Sequence, residues 1–234
     1  MSERVDHEPA FILHTRPWRE TSLIVDVLTR HHGRVGLVAR GARRQSSSLK
    51  ARLVSFQPLD LAWFGKGALH TLHAAEWLGG SLNLRGHGLM CGFYLNELIL
   101  RLLPEGDPHE TLFDRYRDTL EQLDGARDVE PVLRRFELDL LSELGYAQPL
   151  GQGADGSELH PEWRYAYALD QGVVPARAGE TSYQGRTLLD LARGDLSLPA
   201  TLAEGKLLMR TLLAHYLGDK PLATRQLLID LQKL

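Results

Sequence analysis

The chain has 234 residues, 43% of them apolar and 24% charged, with a formal net charge of −3. This is ordinary globular composition, which excludes disorder, and no run approaches the roughly 18 apolar residues of a membrane span. Its one cysteine, Cys91, excludes an intrachain disulfide and any multi-cysteine metal site. The polar, acidic opening MSERVDHEPAF is not that of a signal peptide, and a reducing cytoplasm fits this cysteine usage. The length allows one large domain or two modest ones.

The charge is unevenly spread. Residues 1–80 carry 11 Lys and Arg against 7 Asp and Glu, whereas residues 81–234 carry 16 against 23. Between Asp26 and Asp60 there is no acid, but Arg30, Arg34, Arg40, Arg43, Arg44, Lys50 and Arg52 all fall there. A net charge near zero hides a local positive field of this kind.

The first 80 residues read as strands. AFILH (10–14) is short and apolar, and 23–28 alternates with period two. His32-Gly33 signals a turn into the hairpin partner RVGLVA (34–39). A polar loop (40–50) precedes LVSFQPLDLAWF (53–64), in which Pro58 marks an edge or bulge. Gly65-Lys66-Gly67 turns the chain into LHTLHAAEW (69–77). Five short strands suit a small closed barrel of the OB type. The period then becomes helical. Met90, Phe93, Tyr94, Leu98, Ile99 and Leu102 recur at helix spacing up to Pro104. Further helices are expected at 108–124, from an Asp128 cap to Gly145, and at 186–194, 199–217 and 222–232. Residues 146–185 are Gly-rich, with short strands at 163–169 and 173–177. The expected fold is α+β: an OB-fold barrel over 1–80, then a mainly helical domain over 81–234 with a small β subdomain around 146–185.

The basic loop ARGARRQSSSLKAR (39–52) carries the strongest chemical signal. Arg and Lys neutralise phosphates, and Ser and backbone N–H groups add hydrogen bonds. The plain alternative is a solvated loop. Of the barrel aromatics Phe11, Trp18, Phe56, Trp63, Phe64 and Trp77, most read as core. Trp18 differs because Arg16 and Arg19 flank it, a setting suited to base stacking. The candidate DNA contacts are therefore Arg16, Trp18, Arg19, Arg34, Arg40, Arg43, Arg44, Lys50 and Arg52. His70 and His73, three apart on a strand, and the turn pair His31-His32 make poor metal sites. Cys91 reads as a small buried residue. No nucleophile elbow, Walker loop or His-Glu-x-x-His motif occurs, so no catalysis is expected.

These pieces, in this order, resemble the RecO family of bacterial recombination mediators. The strings that carry the resemblance are AFILHTRPWRETSLIVDVLT (10–29), GRVGLVARGARRQSSSLKARL (33–53), FYLNELILRLL (93–103), LRRFELDLLSELGY (133–146) and YLGDKPLATRQLL (216–228). The resemblance implies an OB-fold that binds single- and double-stranded DNA and anneals complementary strands. It implies partnership with RecR, in some bacteria RecF, in helping RecA displace single-stranded DNA-binding protein. It also implies a nucleoid-associated place in the cytoplasm and no turnover chemistry. Many relatives carry a four-cysteine zinc site where this chain has Ala147 to Trp163 without a cysteine, so no metal or other cofactor is expected, and hydrogen bonds and packing must hold that subdomain.

The resemblance further implies a dock for the acidic C-terminal tail of single-stranded DNA-binding protein. Such a tail needs an apolar pocket with a cation at its lip, and the planar fork of Arg can hold its carboxylate. Arg134 is the first candidate, beside Arg135 and the apolar series Leu133, Phe136, Leu140 and Leu144, with Lys206 and Arg210 as helpers. The plainer reading of Arg134 is a surface pair with Glu130 at i,i+4. Two other readings compete with the mediator: a scaffold that meets DNA only through partners, and a nuclease, which would need an acidic metal site that the sequence does not show.

Overall fold

Strands β1 (Glu3–Trp18) and β2 (Ser22–Thr29) begin a closed barrel. β3 (Gly33–Ala39), a short helix α1 (Ser48–Arg52), β4 (Leu59–Gly65) and β5 (Leu69–Trp77) complete it, in the order β1-β2-β3-β5-β4. Only β3 and β5 pair in parallel, which is the closure that makes the barrel OB-like. The structure is a computed structural model and describes residues 3–80 and 82–231. The interior is filled from alternating positions: Ile12, Val25, Val27, Val35, Leu37, Leu59, Leu61, Trp63 and Leu72. On β1 and β2 the intervening residues Phe11, Leu13, Ile24 and Leu28 are buried as well. Both faces are therefore dry, which is why 23–28 reads as more apolar than a half-buried strand.

What covers the outer face is helical. Helix α2 (Gly86–Leu102) packs on β1, and α3 (Glu110–Leu123) packs on α2. Phe11 meets Phe113 and Tyr116 of α3 at ring-centroid distances of 5.5 and 5.3 Å. The register of β1 against β2 shifts between Ile12 and His14. The buried side-chain amide of Asn96 on α2 donates to the Leu13 carbonyl there at 2.9 Å. Tyr116 donates in turn to Asn96 Oδ1 at 2.5 Å. Burial pushes the Tyr116 phenol far above its ordinary range, so it stays a neutral donor.

Of the described residues, those up to Ala126 and those from Leu222 form one compact unit, and Arg127–Pro221 forms the other. The strands end near residue 80, where the composition shifts, but α2, α3 and α7 (Ala223–Leu231) belong to the barrel's unit. Glu97 on α2 accepts the Ala223 and Thr224 N–H groups at the first turn of α7, at 2.7 and 2.9 Å. An open, mainly apolar pocket of about 400 Å³ lies between α2 and α7.

The second unit contains α4 (Glu130–Glu143), a small sheet of β6 (Arg164–Ala168), β7 (Gly172–Pro175) and β8 (Tyr183–Gln184), α5 (Gly185–Arg193) and α6 (Pro199–Leu217). Asp128 accepts the Glu130 N–H at 3.0 Å, a capping bond one residue before the assigned cap. In the cysteine-free stretch, Ser157 O accepts from Gly153 at 2.8 Å and Val173 O from Ala154 at 2.7 Å. Leu150 and Leu159 are buried beneath. A Cβ on Gly185 would lie 2.1 Å from the His160 carbonyl, so only glycine fits where α5 begins.

Two local expectations change. Residues 53–64 are not one strand: α1 and a turn occupy 48–57, and Pro58 precedes β4 rather than interrupting it. The reason is packing, since Ala42, Leu49 and Leu53 turn inward onto the barrel core and draw the loop into a helical turn. Phe56 takes φ +67° there and meets Phe93 edge-on at 5.0 Å. The edge strand β8 and the short α1 have no clear pattern in the sequence.

The Asn96 bond predicts a stability effect. Asn96→Leu leaves the Leu13 carbonyl buried without that donor and should cost about 1–3 kcal/mol in chemical denaturation. Tyr116→Phe should cost about 1 kcal/mol by losing one hydrogen bond. In the 153–157 turn, hydrogen bonds from the Ser157 hydroxyl and N–H hold Asp155 below the usual carboxylate range. Its contribution is thus present above the unfolded pKa of about 3.9 and is lost as pH falls through the lower folded value. NMR titration of the Ser157 amide should show this turn intact at neutral pH and released only in acid.

Candidate nucleic-acid interface

The acid-free window of the sequence divides in two in the structure. Arg30 is held by Asp114 at 2.9 Å and Glu110 at 3.6 Å, both on α3. Arg34 donates through Nε to the Leu103 carbonyl at 3.0 Å and pairs with Glu105 at 3.1 Å. These two cations are neutralised by acids seventy and more residues away in the chain. Arg34, a sequence candidate for DNA contact, is therefore engaged in holding the helical segment to the barrel.

The remaining cations gather at one end of the barrel. Trp18 ends β1 opposite Ser22, and Leu23 pairs with Ala39, which ends β3. The loops 19–21 and 40–47 thus leave from the same pole. Arg43 ties them: its backbone N–H donates to the Thr21 carbonyl at 2.9 Å, and its guanidinium reaches the Arg19 and Glu20 carbonyls at 3.3 and 3.2 Å. Arg52 donates to the Ala75 carbonyl at 3.0 Å, fixing the end of α1 to β5. Arg16, Arg19, Arg40, Arg44 and Lys50 are exposed. Among the described residues none of Arg16, Arg19, Arg40, Arg43, Arg44, Lys50 and Arg52 is paired with a carboxylate. One acid, Glu20, lies in the same turn.

Trp18 is 40% exposed, with the Arg19 guanidinium 6.0 Å from its ring centroid. Phe11, Phe56 and Trp63 are core, as the sequence suggests, but Phe64 and Trp77 are not. Phe64 follows inward Trp63 on a strand, so alternation alone turns it outward. Trp77, 59% exposed, lies at the last position of β5, beyond the core residue Ala75. Its exposure depends on where the strand ends, which the sequence pattern does not mark.

The second unit's candidates also separate. Arg134 is only 9% exposed, and its guanidinium pairs with buried Glu137 at 2.5 Å. Glu130 pairs with Lys206 instead, so the expected Glu130–Arg134 pair does not form. Arg135 donates to the Gly194 carbonyl at 2.7 Å and caps α5. Arg210 is exposed one turn from Lys206, with exposed Leu207 beside them. Cys91 is buried. Among the described residues no cluster of three His, Cys, Asp or Glu could hold a metal ion, and no helix is long and apolar enough to cross a membrane.

Two family profiles match the chain: recombination protein O N terminal over residues 1–80, and recombination protein O C terminal over residues 84–226. The chain belongs to the RecO family. Similar proteins, each named DNA repair protein RecO, include those of Nitrosospira multiformis (49% identical, covering 99% of this chain and 98% of the relative). Those of Thiobacillus denitrificans (51%, covering 99% and 94%) and Aromatoleum aromaticum (49%, covering 99% and 98%) are equally alike. The OB-like barrel followed by a helical region with a small sheet is therefore the RecO arrangement of N- and C-terminal parts.

The split among the cations has a measurable consequence. Arg34→Ala should lower stability by about 1 kcal/mol, the value of one lost hydrogen bond, while leaving the salt dependence of any DNA binding unchanged. Denaturation and a salt titration of the same variant check both halves.

Proposed function

We propose that this RecO-family chain is a non-catalytic recombination mediator that binds single- and double-stranded DNA through the basic pole of its barrel and anneals complementary strands. With RecR, and RecF where present, it helps RecA load onto DNA coated with single-stranded DNA-binding protein. Family membership supports a role in DNA repair and recombination. The observation that carries direct DNA contact is the set of cations over 40–52 without carboxylate partners, beside a neighbouring set that acids do neutralise. Unpaired cations release counterions from a phosphate backbone on binding; paired ones have already lost that gain.

Affinity for a single strand should fall with salt, by about 0.7 log units per tenfold salt for each phosphate contacted. Replacing Arg40, Arg44 and Lys50 with Ala should flatten that slope by roughly two units, since each removed single-strand contact reduces it by about 0.7. An unchanged slope would favour the scaffold reading, in which DNA is met through partners. Annealing of complementary oligonucleotides, bare and coated with single-stranded DNA-binding protein, tests the mediator activity itself.

For the tail of single-stranded DNA-binding protein, the second unit offers the cations named above. Arg134 already spends its charge on Glu137 and Lys206 is paired with Glu130, whereas Arg210 stands exposed at the surface near Leu207. That favours Arg210 for the terminal carboxylate, with Lys206 as a helper that must first leave Glu130 and with Arg134 and Arg135 supporting the helices. Arg210→Ala should weaken binding of a labelled tail peptide by about 1.5–3 kcal/mol, the range for hydrogen bonds to charged groups. Binding to bare DNA should stay intact, and peptide affinity equal to wild type would move the dock elsewhere.

A further inference from the structure

The basic segment is fastened at each end beside an exposed tryptophan. At its start, Arg43 holds the carbonyls of Arg19 and Glu20, the two residues after Trp18. At its end, Arg52 holds the carbonyl of Ala75, two residues before Trp77. Arg44 and Lys50 lie between these fastenings and Arg40 just before the first, all exposed. Glu76, the acid nearest Trp77 in sequence, is opposite Asp60 in register and acts on His7. Successive strand residues point to opposite faces, which directs Glu76 away from the indole.

We propose that residues 40–52 form a single-strand track that ends on two base-stacking platforms, Trp18 and Trp77, with Arg40, Arg44 and Lys50 holding the phosphates between them. This rests on the DNA-binding reading above and specifies its ligand: DNA with unstacked, accessible bases. An indole ring stacks any base, because every base has a π-face, so the track is indifferent to sequence. A duplex offers the same phosphates, but its bases are already stacked on one another and cannot reach the rings. The cations therefore serve both forms of DNA, and the tryptophans serve only the single strand. An annealing protein gains from that difference, since its grip loosens once strands pair.

The test compares oligo-dT with a duplex of equal length, using the full chain and fluorescence anisotropy at fixed salt. Trp77→Leu and Trp18→Leu should each weaken oligo-dT binding by roughly fivefold to a hundredfold, the equivalent of one lost base stack. Duplex affinity should change by less than about twofold, because phosphate contacts remain. Trp77→Phe should recover most of the oligo-dT affinity, which a loss of fold would not allow. Equal weakening of both DNA forms, or no weakening of oligo-dT in the double Leu variant, overturns the track. If the wild type shows no salt-dependent binding to either DNA, the DNA-binding reading fails and the track fails with it. A normal salt slope with unaltered Leu variants overturns the track alone.

Discussion

The attachment of helices to barrel turns on one carbonyl. Where β1 bulges between Ile12 and His14, the Leu13 carbonyl leaves the ladder inside a dry contact. A buried acceptor without a donor is costly, and the Asn96 amide supplies the donor. Asn96 is itself fixed by the buried Tyr116 hydroxyl, so one chain of bonds passes through β1, α2 and α3. Apolar packing of Phe11 on Phe113 and Tyr116 provides the bulk of the contact, but packing is non-directional. The polar chain selects one orientation of α2 on the barrel, because any slide leaves a buried group unpaired.

That orientation also sets the electrostatics. Once α3 and the 105 loop lie against the β2–β3 hairpin, Asp114, Glu110 and Glu105 come to Arg30 and Arg34. Gly33 permits the approach: it takes φ +66°, and a Cβ there would meet the Asp107 carbonyl at 2.1 Å. The acidic helices thus discharge one end of the positive window and leave the other. The net charge of −3 is compatible with a nucleic-acid surface because the cations over 40–52 have no carboxylate partner among the described residues, with Glu20 the one acid in the neighbouring turn. Trp18 stays exposed there with the Arg19 guanidinium 6.0 Å from its ring centroid.

In the second unit, short-range bonds organise the cysteine-free stretch 147–163. The 153–157 turn closes on itself and ties to β7 through Ala154, while Tyr165 accepts into place the His160 N–H at 2.9 Å. Arg164 spans from Ser182 to Glu204, linking β6 to α6. The buried Arg134–Glu137 pair lies in the same unit.

The sequence by itself determined the element order, the barrel of five strands, the long helices and the acid-free basic loop. Those features are local: period two, period 3.6, turn residues and charge runs are legible wherever neighbours in the chain decide the outcome. It also showed Trp18 as an outlier, because the flanking cations are adjacent in sequence. Only the tertiary structure decided that Arg34 and Arg134 are engaged while Arg44, Lys50 and Arg210 have no carboxylate partner among the described residues, since the deciding partners Leu103 and Glu105 lie about seventy residues from Arg34 and Glu137 matters only once buried. It alone turned 48–52 into a helix and exposed Trp77, because burial is a property of packed neighbours rather than of residue type.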